Sequence, residues 1–283
     1  MIDAIRTESL TKYYGRVVGV EDLSLQVRAG EVYGFLGPNG AGKTTTIRLL
    51  LDLLRPTSGR AFINGHDTRV ESRAARAQAG YLPSEMPLYP DMTGRAWLRF
   101  LARLHPRPVN GEWLDTLFAR FAVSDADLAR RLGTLSHGMK RKFGIIQALM
   151  GRPSVLVLDE PTSGLDPLMI EAFARTVAEL KRDGGTTFFL SSHVLSEVER
   201  LCDRIGIIRR GRLVRQTSLE ELRAEMPRRV RISFDGRAPL ARAWRGPLGP
   251  LLDSFDGARI TDIDIEPFKL EEYVLGVYSE EEA

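Results

Sequence analysis

Residues Gly37 to Thr44 read "GPNGAGKT", a G-x-x-x-x-G-K-T spacing set between an apolar run and a helix-like pattern. Phosphate binding is the chemistry that suits this spacing. Gly37, Gly40 and Gly42 leave room for a tight turn whose amide N–H groups point inward, with Pro38, Asn39 and Ala41 between them. The turn opens a helix, whose N-terminal dipole and unpaired N–H groups favour an anion. Lys43 would reach the β- and γ-phosphates of a nucleotide, and the Thr44 hydroxyl would coordinate Mg²⁺; Thr45 continues the helix start. A second cluster ends the apolar run "VLVLDE", Val155 to Glu160. Asp159 is suited to hold Mg²⁺ through water, and Glu160 to polarise an attacking water. The turn "SGLDP" then leaves Asp166 near the reacting centre. No Asn-Lys-x-Asp guanine reader occurs in the chain, so adenine is favoured over guanine.

These groups need a scaffold that brings them to one edge. "EVYGFLG" reads as an apolar strand running straight into the glycine loop, and "LSLQV" before it alternates as a half-buried strand. After the loop, Ile47, Leu50, Leu51 and Leu54 fall on one helical stripe, closed by "RPTSG", and "RAFING" resumes as a strand. From about 90 to 150 the pattern is mostly helical, with stripes Trp97, Phe100, Leu101, Leu104 and Leu114, Leu117, Phe118, Phe121. Strand–helix alternation then returns through "SVLVLDE", Ile170 to Leu180, "TTFFLSSH" and Val194 to Leu201. Such alternation predicts a largely parallel α/β sheet with its ligand chemistry at the strand carboxyl ends, where the loop, Asp159, Glu160 and His193 all fall. Beyond about 218 the pattern weakens. "RVRISF" and "ARITDIDIE" read as strands, "KLEEYVLGVY" as a terminal helix, and "RGPLGPLLDSFDG" as a connecting stretch, giving a small appendage.

The 283 residues are 43% hydrophobic and 27% charged with a net charge of +3, an ordinary globular balance without the basic clustering of a nucleic-acid binder. The one cysteine, Cys202, has no partner for an internal disulfide and suits a reducing compartment. The N-terminal stretch is charged where a signal peptide needs an apolar core. No run approaches the roughly 20 apolar residues that span a bilayer. Work at a membrane would therefore need another polypeptide for the crossing.

The stretch "LSHGMKRKFG", Leu135 to Gly144, resembles the signature of the ATP-binding cassette (ABC) ATPases, normally Leu-Ser-Gly-Gly-Gln. Ser136 can cap the helix that follows and Gly138 lets its backbone approach an anion. With the other motifs in the family's order, the resemblance covers residues from about 1 to 217. It implies a P-loop NTPase of ABC type, a mixed sheet core with an N-terminal antiparallel β part and a helical subdomain inserted at about 90–150; the remaining 218–283 read as a small C-terminal accessory domain. It further implies that His193 contacts the γ-phosphate and orients Glu160, and that Tyr14 stacks on adenine, although Tyr13 is adjacent. The cofactors implied are ATP and Mg²⁺. Three positions depart from the family pattern. His137 replaces the first signature glycine, Met139 replaces the glutamine, and Ser84 in "GYLPSEMPLYPDMT" stands where a glutamine usually relays nucleotide state.

One glycine loop and one signature per chain imply a head-to-tail pair, a homodimer holding two ATP molecules, with Ser136, His137, Gly138 and Met139 completing the partner's site. The segment from Ser84 to Met92 and the helical insertion would grip a separate multi-span transmembrane subunit, placing the chain peripherally on the cytoplasmic membrane face. No nucleic-acid partner is expected. The overall resemblance is strongest to bacterial efflux ATPases. An importer ATPase, a soluble cassette acting on ribosomes or DNA, and a nucleotide-gated sensor remain alternatives.

Overall fold

The computed structural model describes residues 3–280 apart from 87, 107, 227, 256–258 and 267–268. The chain divides into two compact units, Met1–Gln216 and Thr217–Ala283. In the first, strands β1 (Asp3–Tyr14), β2 (Val17–Leu23), β3 (Gln26–Arg28), β4 (Val32–Leu36), β5 (Ser58–Ile63), β6 (His66–Asp67), β7 (Ala79–Leu82), β8 (Val155–Asp159), β9 (Thr187–Ser192), β10 (Arg204–Arg209) and β11 (Arg212–Ser218) form two sheets. The helices are α1 (Lys43–Leu50), α2 (Ser72–Ala77), α3 (Gly94–Leu104), α4 (Gly111–Arg120), α5 (Asp125–Ala129), α6 (His137–Leu149), α7 (Pro167–Gly184) and α8 (Leu195–Leu201).

The first sheet is antiparallel, with β1 paired to β2, β3 and β5. The second has the order β11-β10-β4-β9-β8-β7, and its strands from β10 to β7 run parallel. Strands β4, β8 and β9 are buried along their whole length, as a sheet covered on both faces requires. Phe189 of β9 sits at their centre, stacked on Tyr33 at 5.7 Å and tilted against Phe35 at 5.2 Å.

Between β7 and β8 lie α3 to α6, the helical insertion. Each of the first three begins at a side-chain cap: Thr93, Asn110, and Ser124 in a reciprocal capping box with Asp127. Buried Trp113 anchors the insertion by donating from its indole to the Leu149 carbonyl at 3.0 Å.

Several local expectations change. The stretch "LSLQV" is broken into β2 and β3 because the Thr7 hydroxyl inserts between them, donating to Leu23 O at 2.8 Å and accepting from Leu25 N–H at 3.0 Å. Helix α1 stops at Leu50 rather than reaching Leu54. Asp52 turns left-handed, and the Leu53 and Leu54 N–H groups both fold back on the Arg48 carbonyl. In α3, Trp97 and Leu98 are the buried apolar side chains, while Phe100 and Leu104 face outward. Phe100 meets Tyr89 edge-on at 6.1 Å.

The second unit holds α9 (Leu219–Glu225), β12 (Arg228–Phe234), β13 (Arg237–Trp244), α10 (Gly249–Asp253), β14 (Ile260–Glu266) and α11 (Leu270–Glu280). Its antiparallel sheet has the order β13-β12-β14, packed with Val230, Ile232 and Leu251 at its core. Strand β13 precedes the proline- and glycine-rich stretch, which itself carries α10, so this unit is more regular than its sequence suggests.

Candidate functional site

The sheet order places β9 between β4 and β8, so three neighbouring strands deliver the glycine loop, the Asp159–Glu160 pair and His193 to one edge. Register then sets the details: Ser191 lies opposite both Phe35 of β4 and Asp159 of β8. The carboxyl edge of this parallel core is where sheets of this kind gather ligand chemistry.

The loop is held close against its surroundings. A Cβ on Gly37 would lie 2.4 Å from the Ile208 carbonyl of β10, and one on Gly42 would lie 2.6 Å from the Gly19 carbonyl. Gly42 is also left-handed at φ 110°, so glycine is required there on two counts. Lys43 is buried and its ammonium lies inside the loop, donating to the Gly37 carbonyl at 2.6 Å and the Pro38 carbonyl at 3.1 Å. Burial lowers its pKa, against the pull of Glu160 and Asp159. A cation held in a cradle of carbonyls, short of full charge compensation, suits a phosphate group.

Thr44 donates its hydroxyl to Asp159 Oδ2 at 2.8 Å, and the other Asp159 oxygen accepts from Ser191 Oγ. Asp159 is 1% exposed, so these hydroxyls stabilise a carboxylate that bulk water does not reach. A hydroxyl and a carboxylate in contact are the hard oxygen donors that Mg²⁺ takes together with substrate phosphates.

Glu160 has a left-handed backbone at φ 51°. Its N–H is held by the Ser191 carbonyl at 3.1 Å and hydroxyl at 3.2 Å, and its carboxylate meets His193 Nδ1 at 2.9 Å. Glu160 and His193 are thus hydrogen-bonded to each other. A cavity of about 300 Å³ is lined by Tyr14, Val17, Val18, Gly19, Asn39, Gly40, Gly42, Lys43, Thr44, Thr45 and Glu160. Tyr14 lies on its wall over Gly19, where an added Cβ would come 2.8 Å from its ring. The Tyr13 hydroxyl instead donates to Glu21 at 2.8 Å, leaving Tyr14 as the ring that faces the cavity.

The signature residues lie elsewhere. Ser136 caps α6 by accepting from Met139 N–H at 3.3 Å; Ser136 and His137 are exposed, Gly138 and Met139 half-buried. None of the four lines the cavity. The Gly138 Cα approaches the Gly164 carbonyl so closely that a Cβ would meet it at 2.7 Å, and the His137 ring packs on Gly164 in turn. Asp166 caps α7 by accepting from Met169 N–H at 3.0 Å. Ser84 enters the network through its backbone carbonyl, 3.2 Å from an Arg141 nitrogen.

Two participants escape a motif reading: Ser191 and Arg141. Arg141 is 2% exposed and donates to five backbone carbonyls, those of Pro83, Ser84, Asp159, Glu160 and Pro161. A signal for it exists in helical spacing, because position 141 shares a stripe with the buried Ile145, Ala148 and Leu149.

Comparison with known proteins agrees with this geometry. Residues 20–163 match the family model described as ABC transporter. The bacitracin transport ATP-binding protein of Bacillus licheniformis is 38% identical over 226 residues, 79% of this chain and 72% of that protein. The daunorubicin resistance ATP-binding protein of Streptomyces coeruleorubidus is 38% identical over 225 residues, 78% of this chain and 70% of that one. A solved ATP-binding subunit of an ABC transporter superposes with a TM-score of 0.71 at 31% identity, covering 78% of this chain and 92% of that structure. A glycine loop, a strand-end acid pair and a histidine bonded to it on this sheet order, with these relatives, identify the chain as a member of the ABC transporter ATP-binding family, a nucleotide-binding ATPase cassette.

Proposed function

We propose that this chain is the ATPase half of an efflux system, working as a homodimer that binds two Mg²⁺–ATP and drives a separate transmembrane subunit on the cytoplasmic face of the membrane. Among the described residues no helix is long and apolar enough to cross a membrane, which fits a division of labour between chains. Names of the relatives that refer to bacitracin transport and daunorubicin resistance favour small antibiotic-like cargo.

The observation that carries the pairing is the separation of the two halves of the chemistry. The loop, Asp159, Glu160 and His193 share one edge, whereas the exposed N-terminus of α6 at Ser136 does not line the same cavity. A second copy, head to tail, would bring that N-terminus to the γ-phosphate. Within each site Gly37 to Thr45 would wrap the phosphates, Tyr14 would stack on adenine, and Thr44 with Asp159 would hold the metal. Bound Mg²⁺ would neutralise phosphate charge. Glu160 would take the proton of the attacking water, with its carboxylate aimed by His193. Asp166, beside the turn on which His137 packs, would report one site's state to the other.

Glu160→Gln tests this reading. It should bind ATP, turn over at about 10²- to 10⁴-fold lower kcat, and elute as a dimer with ATP but not ADP. Unaltered turnover removes Glu160 as the base, and a monomer under saturating ATP removes the shared site.

A further inference from the structure

The Arg141 guanidinium lies in the buried interior of the first unit, yet all five of its acceptors there are main-chain oxygens. They belong to two separate segments, 83–84 after β7 and 159–161 at the end of β8, and the arginine itself stands one turn inside helix α6. Burial of such a cation is costly and lowers its pKa to about 10, partly offset by Asp159, Glu160 and Tyr81. Retaining it argues for a geometric task that a hydrocarbon side chain of similar size could not perform.

The geometry indicates what that task is. Glu160 is left-handed, a conformation that puts its carbonyl on the side facing α6, where Arg141 holds it; Ser191 holds its N–H from the β9 side. The peptide units flanking the catalytic carboxylate are thereby clamped from two directions. The same guanidinium donates to Pro83 O at 2.6 Å and to Ser84 O. Gly144, one turn on, packs so tightly on this segment that a Cβ would come 2.6 Å from Met86 Sδ and 2.7 Å from Leu82 Cδ1. Helix α6 and the segment 82–86 are therefore packed directly on one another, with Arg141 tying both to the backbone of Glu160.

We infer that Arg141 is a positioning residue that transmits movement of the Ser84 segment to Glu160 through the main chain, so that coupling here does not depend on the Ser84 side chain. This rests on the ATPase reading above and adds the route by which hydrolysis is controlled. A guanidinium has five N–H donors in a fixed planar fork, whereas an ammonium has three about one nitrogen. Lysine can keep the charge but cannot span both segments.

The test is Arg141→Lys in the full-length chain. The expected result is at least a tenfold fall in kcat with KM for ATP within threefold. The ATP-dependent change in hydrogen exchange at the amides of Ser84, Glu85 and Met86 should also be lost. In a Glu160→Gln background the same substitution should add no further loss of turnover, because both changes act through one carboxylate. Unchanged kcat, a parallel loss of kcat and ATP affinity, or full additivity with Glu160→Gln would each overturn the proposal. A wild-type chain that neither binds nor hydrolyses ATP would instead overturn the ATPase reading itself. Should Arg141→Lys not fold, nitrogen-15 spectra of the wild-type arginines decide the matter. Arg141 side-chain protons, recognised by their contacts to the 159–161 backbone, should exchange slowly and shift on ATP binding. Rapid exchange or an unmoved signal would overturn it.

Discussion

Ser191→Ala isolates the part of the site that motif reading passes over. Ser191 is fully buried, and its hydroxyl donates to Asp159 Oδ1 while accepting from Glu160 N–H at 3.2 Å. Alanine removes one oxygen and opens almost no volume, so packing contributes little to the change. The bond to a buried carboxylate is charge-assisted, and its loss costs about 1.5–3 kcal/mol. The Glu160 N–H keeps the Ser191 carbonyl at 3.1 Å and is not orphaned, so its share is small. For a unit the size of Met1–Gln216, about 2–4 °C of melting temperature accompanies each kcal/mol, giving a fall of roughly 3–12 °C. Differential scanning calorimetry of the wild-type and variant chains would measure it. Mg²⁺ with nucleotide should narrow the gap, because a metal held by Asp159 as proposed would neutralise the same carboxylate. Turnover should fall severalfold at little change in ATP affinity, since one of two restraints on the Glu160 N–H is gone. A melting temperature within 1 °C of wild type, together with unaltered kcat, would refute the claim that this hydroxyl holds the acid pair.

Two further outcomes can be checked directly. Gly42→Ala should abolish measurable nucleotide binding in a fluorescence titration and lower stability by about 1–3 kcal/mol, because a left-handed φ of 110° and a Cβ 2.6 Å from Gly19 O act together. Asp67 should contribute to acid sensitivity. Burial pushes its carboxyl up, but the Val70 and Arg69 N–H groups and the Arg60 guanidinium outweigh this and bring it below its ordinary value. A depressed native pKa gives stability that is present above about pH 4 and lost as pH falls through the lowered value. Asp67→Asn should therefore flatten the acid limb of a denaturation series between about pH 5 and 2.

What could be read from the sequence follows from how local each signal is. The loop from Gly37 to Thr45, the Asp159–Glu160 pair and the Ser136 cap are each contiguous, with a fixed relation between residue type and backbone, and the structure forms each of them. His193 falls at a strand end, but its singling out came from the family resemblance. The burial of Arg141 had a signal in helical spacing, but its partners, like those of Ser191, were illegible because they are distant main-chain and side-chain groups brought near by sheet order. The choice of Tyr14 over the adjacent Tyr13 gains a physical reason only in three dimensions, where the Tyr13 hydroxyl is taken up by Glu21. Breaks such as that between β2 and β3 come from one side chain, Thr7, reaching across from another strand, and no period along "LSLQV" encodes it. The regular structure of the second unit was faint because β13 interleaves small and charged residues with few large apolar ones.

The left-handed backbone at Glu160 sets thermal robustness against turnover at a single codon. A glutamate there forgoes about 1–2 kcal/mol that glycine would recover. Any screen that rewards heat tolerance alone would thus favour discarding the acid proposed above as the general base. Chains that gain melting temperature by exchanging this residue should be read as disarmed rather than improved.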